Sequence, residues 1–212
     1  TGVRTASGET IKADAVVVNA DLAAAEPKLL GGESRSDYAN NRYSTSSITF
    51  LWALDRRFDQ LQHHNVFLSE DDDDDPFLSA WDDQLPPRGK ATAFPANGFH
   101  FYLCCNSRTD ASAAPADGDS LMVLCPTPPL DDDADDALVD AWIAKARTAV
   151  FERLEKSAGA DIESHVVHER VIDPREWRDG LGLRRGSVFG LAHGLDQLAL
   201  FRPSRRSSRV DG

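Results

Sequence analysis

The feature that most constrains this chain is a stripe of apolar residues spaced four apart: Leu138, Trp142, Ala146, Val150 and Leu154. That spacing lines the side chains up along one side of an α-helix, so a long helix is predicted from about Asp135 to Ser157, with one face to bury. Both ends are punctuated. Asp131, Asp132 and Asp133 supply N-cap candidates and negative charge at the positive end of the helix dipole. Arg153 and Lys156 occupy the last turns, and Gly159 follows.

Most of the remaining chain reads as strands that could cover such a face. Ser47 to Leu54, Asn65 to Ser69, Phe99 to Cys104 and Ser120 to Leu124 are short runs rich in Val, Ile, Phe, Tyr or Trp, with turn-forming residues close by. Glu163 to Ile172 is a further strand, leading to Asp173-Pro174 and Glu176-Trp177. Near the start, Val3 to Thr5 and Ile11 flank a turn at Ser7-Gly8-Glu9. The unbroken run Ala15-Val16-Val17-Val18 suits a strand covered on both faces. Asp21 then caps a short helix through Leu29-Leu30 that ends at Gly31-Gly32. The expected fold class is α/β, with a mixed sheet of about five or six strands.

Composition narrows the partners. The chain has 23 Lys+Arg against 35 Asp+Glu, a formal charge of −12, which argues against a general nucleic-acid binder because such proteins need a basic footprint. The charge is unevenly spread. Glu70 to Asp75, continuing to Asp82 and Asp83, is acidic, whereas residues 181–212 carry six arginines (184, 185, 202, 205, 206, 209) against Asp196 and Asp211. No apolar run approaches the roughly 20 residues of a membrane-spanning helix. The chain opens on Thr1 without the order of a signal peptide and reads as a cut from something longer. Three cysteines, two of them adjacent, and the absence of an N-x-[ST] sequon point to a reducing compartment.

Sequence spacing supports no metal site and no nucleophile. His165 and His168 fall on opposite faces of a strand pattern, as do Cys104 and Cys105. Cys125 has no histidine at ligand spacing, so the cysteines read as buried thiols, and His63-His64 reads as the end of a loop. Asp71 to Asp75 lacks the spacing and distal Glu of a calcium loop. Gly186-Ser187-Val188-Phe189-Gly190 lacks the glycine two before the serine that a nucleophile elbow needs, and Gly180-Leu181-Gly182 with Gly186 misses the dinucleotide-binding spacing.

Three stretches together resemble the phytoene desaturase family of bacterial and fungal type. They are Ser46 to Arg57 running on through His63-His64-Asn65-Val66-Phe67-Leu68-Ser69-Glu70; Ser107-Arg108-Thr109-Asp110 with Ala114-Pro115 and Gly118; and Gly186 to His193 with Asp196-Gln197 and Phe201-Arg202-Pro203-Ser204-Arg205-Arg206. Gly2-Val3-Arg4 and Ala13 to Asp21 are also similar, in a pattern shared by many flavoprotein oxidases. Ala111 stands where the family often has proline, and Asp71 to Asp83 replaces a segment usually bearing aromatic residues.

The resemblance implies part of an FAD-dependent desaturase that extends the conjugation of a C40 polyene, phytoene. The cofactor takes the hydride, while the protein lays the chain along the flavin and excludes water. It also implies the substrate domain of a two-domain amine-oxidase-like flavoprotein. Residues 1–22 would be a hairpin and strand of the FAD-binding domain, 23–200 the substrate domain, and 201–212 a return segment. Asn19, Ala20, Arg202 and Pro203 are expected near the flavin, with most of the FAD motifs outside this chain.

Trp52, Phe101, Phe189, His193 and Phe201 are candidates to line a substrate channel, with core packing as the other reading of each ring. Peripheral attachment on the cytoplasmic side of a membrane is expected, with anionic head groups, flavin phosphates and plain solvation as equal accounts of Arg202, Arg205, Arg206 and Arg209, and homo-oligomerisation is a further expectation. The resemblance assigns no catalytic acid or base. Alternative readings are a carotene ketolase, a diapocarotenoid desaturase, a retinol saturase, or a non-catalytic domain that binds an isoprenoid or a membrane surface.

Overall fold

Residues 2–29, 41–68, 100–131 and 134–192 are described by the structure, a computed structural model. In chain order the elements are β1 (Gly2–Arg4), β2 (Thr10–Lys12), α1 (Leu22–Leu29), β3 (Ser46–Leu54), β4 (His64–Phe67), β5 (Phe101–Cys105), β6 (Asp119–Thr127), α2 (Asp136–Ala158) and β7 (Val166–Ile172). β1 and β2 form a two-stranded hairpin, and the other strands form one sheet in the order β4-β5-β6-β3-β7.

The alternation of apolar residues explains how this sheet acquires a core side. In the β3–β6 register, Ile48 lies opposite Cys125, Phe50 opposite Val123 and Trp52 opposite Leu121, so all six side chains share one face. Phe101, Leu103 and Cys105 of β5 continue that face. α2 lies over it and buries Val139, Trp142, Ala146, Val150 and Leu154, four of which belong to the predicted stripe. Leu138, the fifth stripe residue, packs partly buried at the margin of the same core. Trp52 stacks between Phe50 and Phe151, at ring-centroid distances of 5.3 and 4.5 Å. Burying each such large side chain contributes on the order of 1.5–3 kcal/mol.

The caps of α2 follow the rules read from sequence, with one change of residue. Asp135, two residues beyond the last of the expected caps, accepts a hydrogen bond from the Ala137 amide, and Gly159 closes the helix in a left-handed conformation at φ 58°. Asp131 instead pairs with Arg185. In α1, the Asp21 carboxylate caps the Ala23 amide at 3.0 Å, as expected.

Three expectations are corrected. Every ladder of the five-stranded sheet is antiparallel, not mixed. The reason is the connection through α2: it joins β6 to β7, which are parallel to each other, but β3 lies between them and runs opposite to both. Second, Ala15 to Val18 is not a strand. The segment is exposed, with Val17 at 91% exposure, because among the described residues no neighbouring strand pairs with its amides and carbonyls. Third, Glu163 to His165 form a 3₁₀ turn ahead of β7, and His165 bonds Asp55 through Nδ1 at 2.8 Å.

Trp142 is 2% exposed, and its buried indole N–H has no hydrogen-bond partner among the described residues. Trp142→Ala is expected to lower the unfolding free energy by about 3–5 kcal/mol in urea titration. Trp142→Phe keeps a ring and removes that stranded donor, so its cost should be much smaller.

Candidate functional site

Two of the three motif-bearing stretches meet at the entry to β3. Residues 186–192 are strapped across the entry to β3. The Ser44 amide donates to the Gly190 carbonyl at 2.8 Å, the Ala192 amide to Arg42 at 2.9 Å and the Val188 amide to Thr45 at 3.1 Å. Hydroxyls finish the seam: Ser46 donates to the Gly186 carbonyl at 2.6 Å, and Ser44 and Ser187 share a hydrogen bond at 2.7 Å. Gly186 is required here. Its φ is +68°, and a Cβ added to it would sit 2.4 Å from the Pro174 carbonyl oxygen. The preceding Arg185 also holds a left-handed backbone, φ 58°, clamped because its guanidinium donates to the Leu130 carbonyl and pairs with Asp131.

The third stretch has a different task. Arg108 sends both terminal nitrogens to the Asp119 carboxylate at 2.7 and 2.9 Å, its Nε to the Leu61 carbonyl, and one nitrogen also to the Phe58 carbonyl. Asp119, whose side chain is fully buried, also accepts from the Ser107 hydroxyl and the Phe58 amide. Burial pushes its carboxyl up, but the Arg108 guanidinium, the Phe58 amide and the Ser107 hydroxyl outweigh it and hold it below the usual carboxylate range. Ser107 and Arg108 are thus a structural lock among the described residues. Of this stretch, Asp110 merely caps a 3₁₀ turn.

On the sheet face away from α2, the alternate residues remain partly accessible. Leu51, Tyr102, Met122, Leu124 and Ile172 are half-buried there, and Val66 on the same face is 66% exposed. This leaves an apolar patch centred on β3, β5 and β6 and bordered by the exposed His64, His168 and Arg170, while the entry to β3 is covered by the 186–192 strap and by Trp177, whose indole donates to the Ser47 carbonyl at 2.9 Å. A surface of this kind suits an extended hydrocarbon.

The expected site residues are scattered. Trp52, at 1% exposure, and Phe101, at 3%, lie under α2 on the core face, so these rings serve packing and do not line the accessible surface. Trp52 donates its indole N–H to Glu169 at 2.7 Å, and Phe101 stacks on Phe67. Phe189 is 65% exposed on the strap. Asn19 and Ala20 are exposed at the end of the Val16–Val18 run. His193, Phe201, Arg202 and Pro203, like the acidic stretch Glu70 to Asp83, lie outside the described residues. The open-face residues Leu51, Met122 and Leu124 were not singled out by sequence; their period-two offset from Phe50, Val123 and Cys125 was the available signal.

The flavin containing amine oxidoreductase family model matches residues 1–208. The chain belongs to that family. Phytoene desaturase of Phycomyces blakesleeanus is 37% identical over 212 residues, covering 98% of this chain and 35% of its own length. The zeta-carotene-forming phytoene desaturase of Myxococcus xanthus is 34% identical, covering 99% of this chain and 38% of its own length. The carotenoid 3,4-desaturase of Haloarcula japonica is 34% identical, covering 99% of this chain and 40% of its own length. The chain therefore spans 35% to 40% of the length of these curated relatives.

For a flavin amine oxidoreductase, the described residues do not make a diphosphate cradle. The α1 N-terminus, a natural place for an anion, already holds the Asp21 carboxylate. Asn19 and Ala20, just before it, are exposed.

Two outcomes follow for the seam and the lock. Gly186→Ala is expected to destabilise by at least the roughly 1–3 kcal/mol that a left-handed backbone costs a residue with a Cβ, read as a lowered urea midpoint. Asp119→Asn should cost about 3–5 kcal/mol at neutral pH, because it leaves Arg108 buried without its charge partner. Since the folded carboxyl titrates below its unfolded value of about 3.9, its stabilisation is complete above that pH and is lost as pH falls through the lower folded value. Urea midpoints measured from pH 7 downwards should therefore fall below about pH 4, with a shallower fall in Asp119→Asn.

Proposed function

We propose that residues 1–212 form the substrate-side part of an FAD-dependent desaturase that introduces C=C bonds into phytoene. The observation that carries the reading is similarity along the whole chain: relatives covering 98% and 99% of it are named phytoene and carotenoid desaturases. The open sheet face supports it physically, because Leu51, Met122, Leu124 and Val66 offer an apolar bed to a polyene without polar groups. Phe189, exposed on the strap, is a further apolar contact, joined in this reading by His193 and Phe201.

In this reading residues 1–22 belong to the FAD-binding domain, 23–200 to the substrate domain, and 201–212 return to the cofactor. Asn19, Ala20, Arg202 and Pro203 stand near the flavin. FAD, when bound, supplies the hydride-accepting chemistry. The tasks of this chain are to seat the polyene, keep water from it and hold the β3 entry closed with the 186–192 strap. Among the described residues no helix is long and apolar enough to cross a membrane. We place the protein peripherally, on the cytoplasmic side of the membrane that dissolves its substrate, with Arg202, Arg205, Arg206 and Arg209 toward anionic head groups. Self-association belongs to the same reading.

The test is expression of the full-length gene in a phytoene-accumulating cell with pigment analysis. Phytoene should fall as more conjugated products rise; unchanged phytoene in a cell making flavin-loaded protein would count against the proposal. Leu124→Asp, on the open face, should reduce conversion at least tenfold while flavin content and fold are retained.

A further inference from the structure

The residues read from sequence as a loop end and a buried thiol come together at the edge of the sheet. His64 of β4 lies directly opposite Cys104 of β5, and His63 precedes it at the bend. One ligand atom from each of His63, His64 and Cys104 lies within 4.8 Å of the other two. Cys104 is unlike the other cysteines. Cys105 and Cys125 belong to the apolar core, whereas Cys104, 6% exposed, faces away from it and is covered by polar side chains. Its Sγ lies 3.5 Å from His63 Nε2 and 3.1 Å from Asn106 Oδ1.

We propose that His63, His64 and Cys104 form a binding site for a zinc-type divalent cation. The distances suit it. With Zn–N of about 2.0–2.1 Å and Zn–S of about 2.3 Å, a tetrahedral N···S edge is about 3.5 Å, the separation already held between His63 and Cys104. His63 turns Nε2 toward Cys104 while its Nδ1 bonds the Thr109 hydroxyl at 2.8 Å, and His64 Nδ1 bonds the Tyr102 hydroxyl at 2.6 Å, so hydroxyl partners orient both rings. An imidazole and thiolate set is one that zinc accepts, and three protein ligands leave the fourth position to water. On binding, the Cys104 thiol gives up its proton to solvent and the sulfur bonds the cation. The cation would then fasten the edge strand β4 and the bend before it to β5.

Zinc binding to the purified, reduced protein carrying residues 1–212 tests this, with Co²⁺ as spectroscopic probe. One equivalent of Co²⁺ should produce a thiolate-to-cobalt charge-transfer band that Zn²⁺ abolishes. The band should be lost in Cys104→Ser. His64→Gln, at an exposed position that leaves folding intact, should weaken Zn²⁺ binding by more than the roughly 10–100-fold cost of losing an outer partner. Absence of the band in the folded protein, its survival in Cys104→Ser, or unchanged Zn²⁺ affinity in His64→Gln would each overturn the proposal. These readouts do not involve flavin or polyene, so the outcome is independent of the desaturase reading.

Discussion

The buried pair between Arg108 and Asp119 ties together the end of β5, the start of β6 and the connection between β3 and β4. Asp119 opens β6, Arg108 lies just beyond β5, and the carbonyls of Phe58 and Leu61 that Arg108 engages belong to the connection between β3 and β4. One carboxylate with four donors thus holds two connections at a single end of the sheet. A charge pair removed from water is stabilising only when its remaining lone pairs and protons are satisfied, and here they are. The same knot sets the chain up for the neighbouring cluster. Leu61 lies two residues before His63, and Thr109, the partner of His63, directly follows Arg108.

The crossover through α2 divides the sheet into two surfaces with different work. Its helix closes one face, and the large rings that sequence alone associates with a greasy substrate, Trp52 and Phe101, are consumed there as core. The opposite face keeps smaller aliphatic residues half-open, Leu51, Met122 and Leu124 among them. Rigidity comes from the closed face, while the open face stays accessible. The strap formed by residues 186–192 closes the entry to β3 with hydroxyls and carbonyls, so backbone groups there are paired without enlarging the apolar core.

Local chemistry was legible wherever it depended on near neighbours. The α2 stripe, the Asp21 cap, the Gly159 terminus and the positions of β3 to β7 follow from periodicity and capping within a few residues. Ala15 to Val18 shows the limit of that reading: a β-branched run has the propensity of a strand, but a strand exists only when another pairs with it. The antiparallel sheet was likewise not visible, because strand direction is decided by which strands become neighbours. The motif residues of the 107–110 stretch were legible as a pattern, yet their work as a structural lock appears only once Asp119 is beside Arg108.

By itself, the sequence determined the family, the long helix α2 with the positions of β3 to β7, and the acidic balance that argues against a general nucleic-acid surface, since each rests on residue identity and short-range spacing. Only the tertiary structure decided which face of the sheet is closed and which is open, and that His63 and His64 stand beside Cys104. Those facts depend on the register between strands and on contacts across separations such as the 41 residues between His63 and Cys104, which no local periodicity encodes.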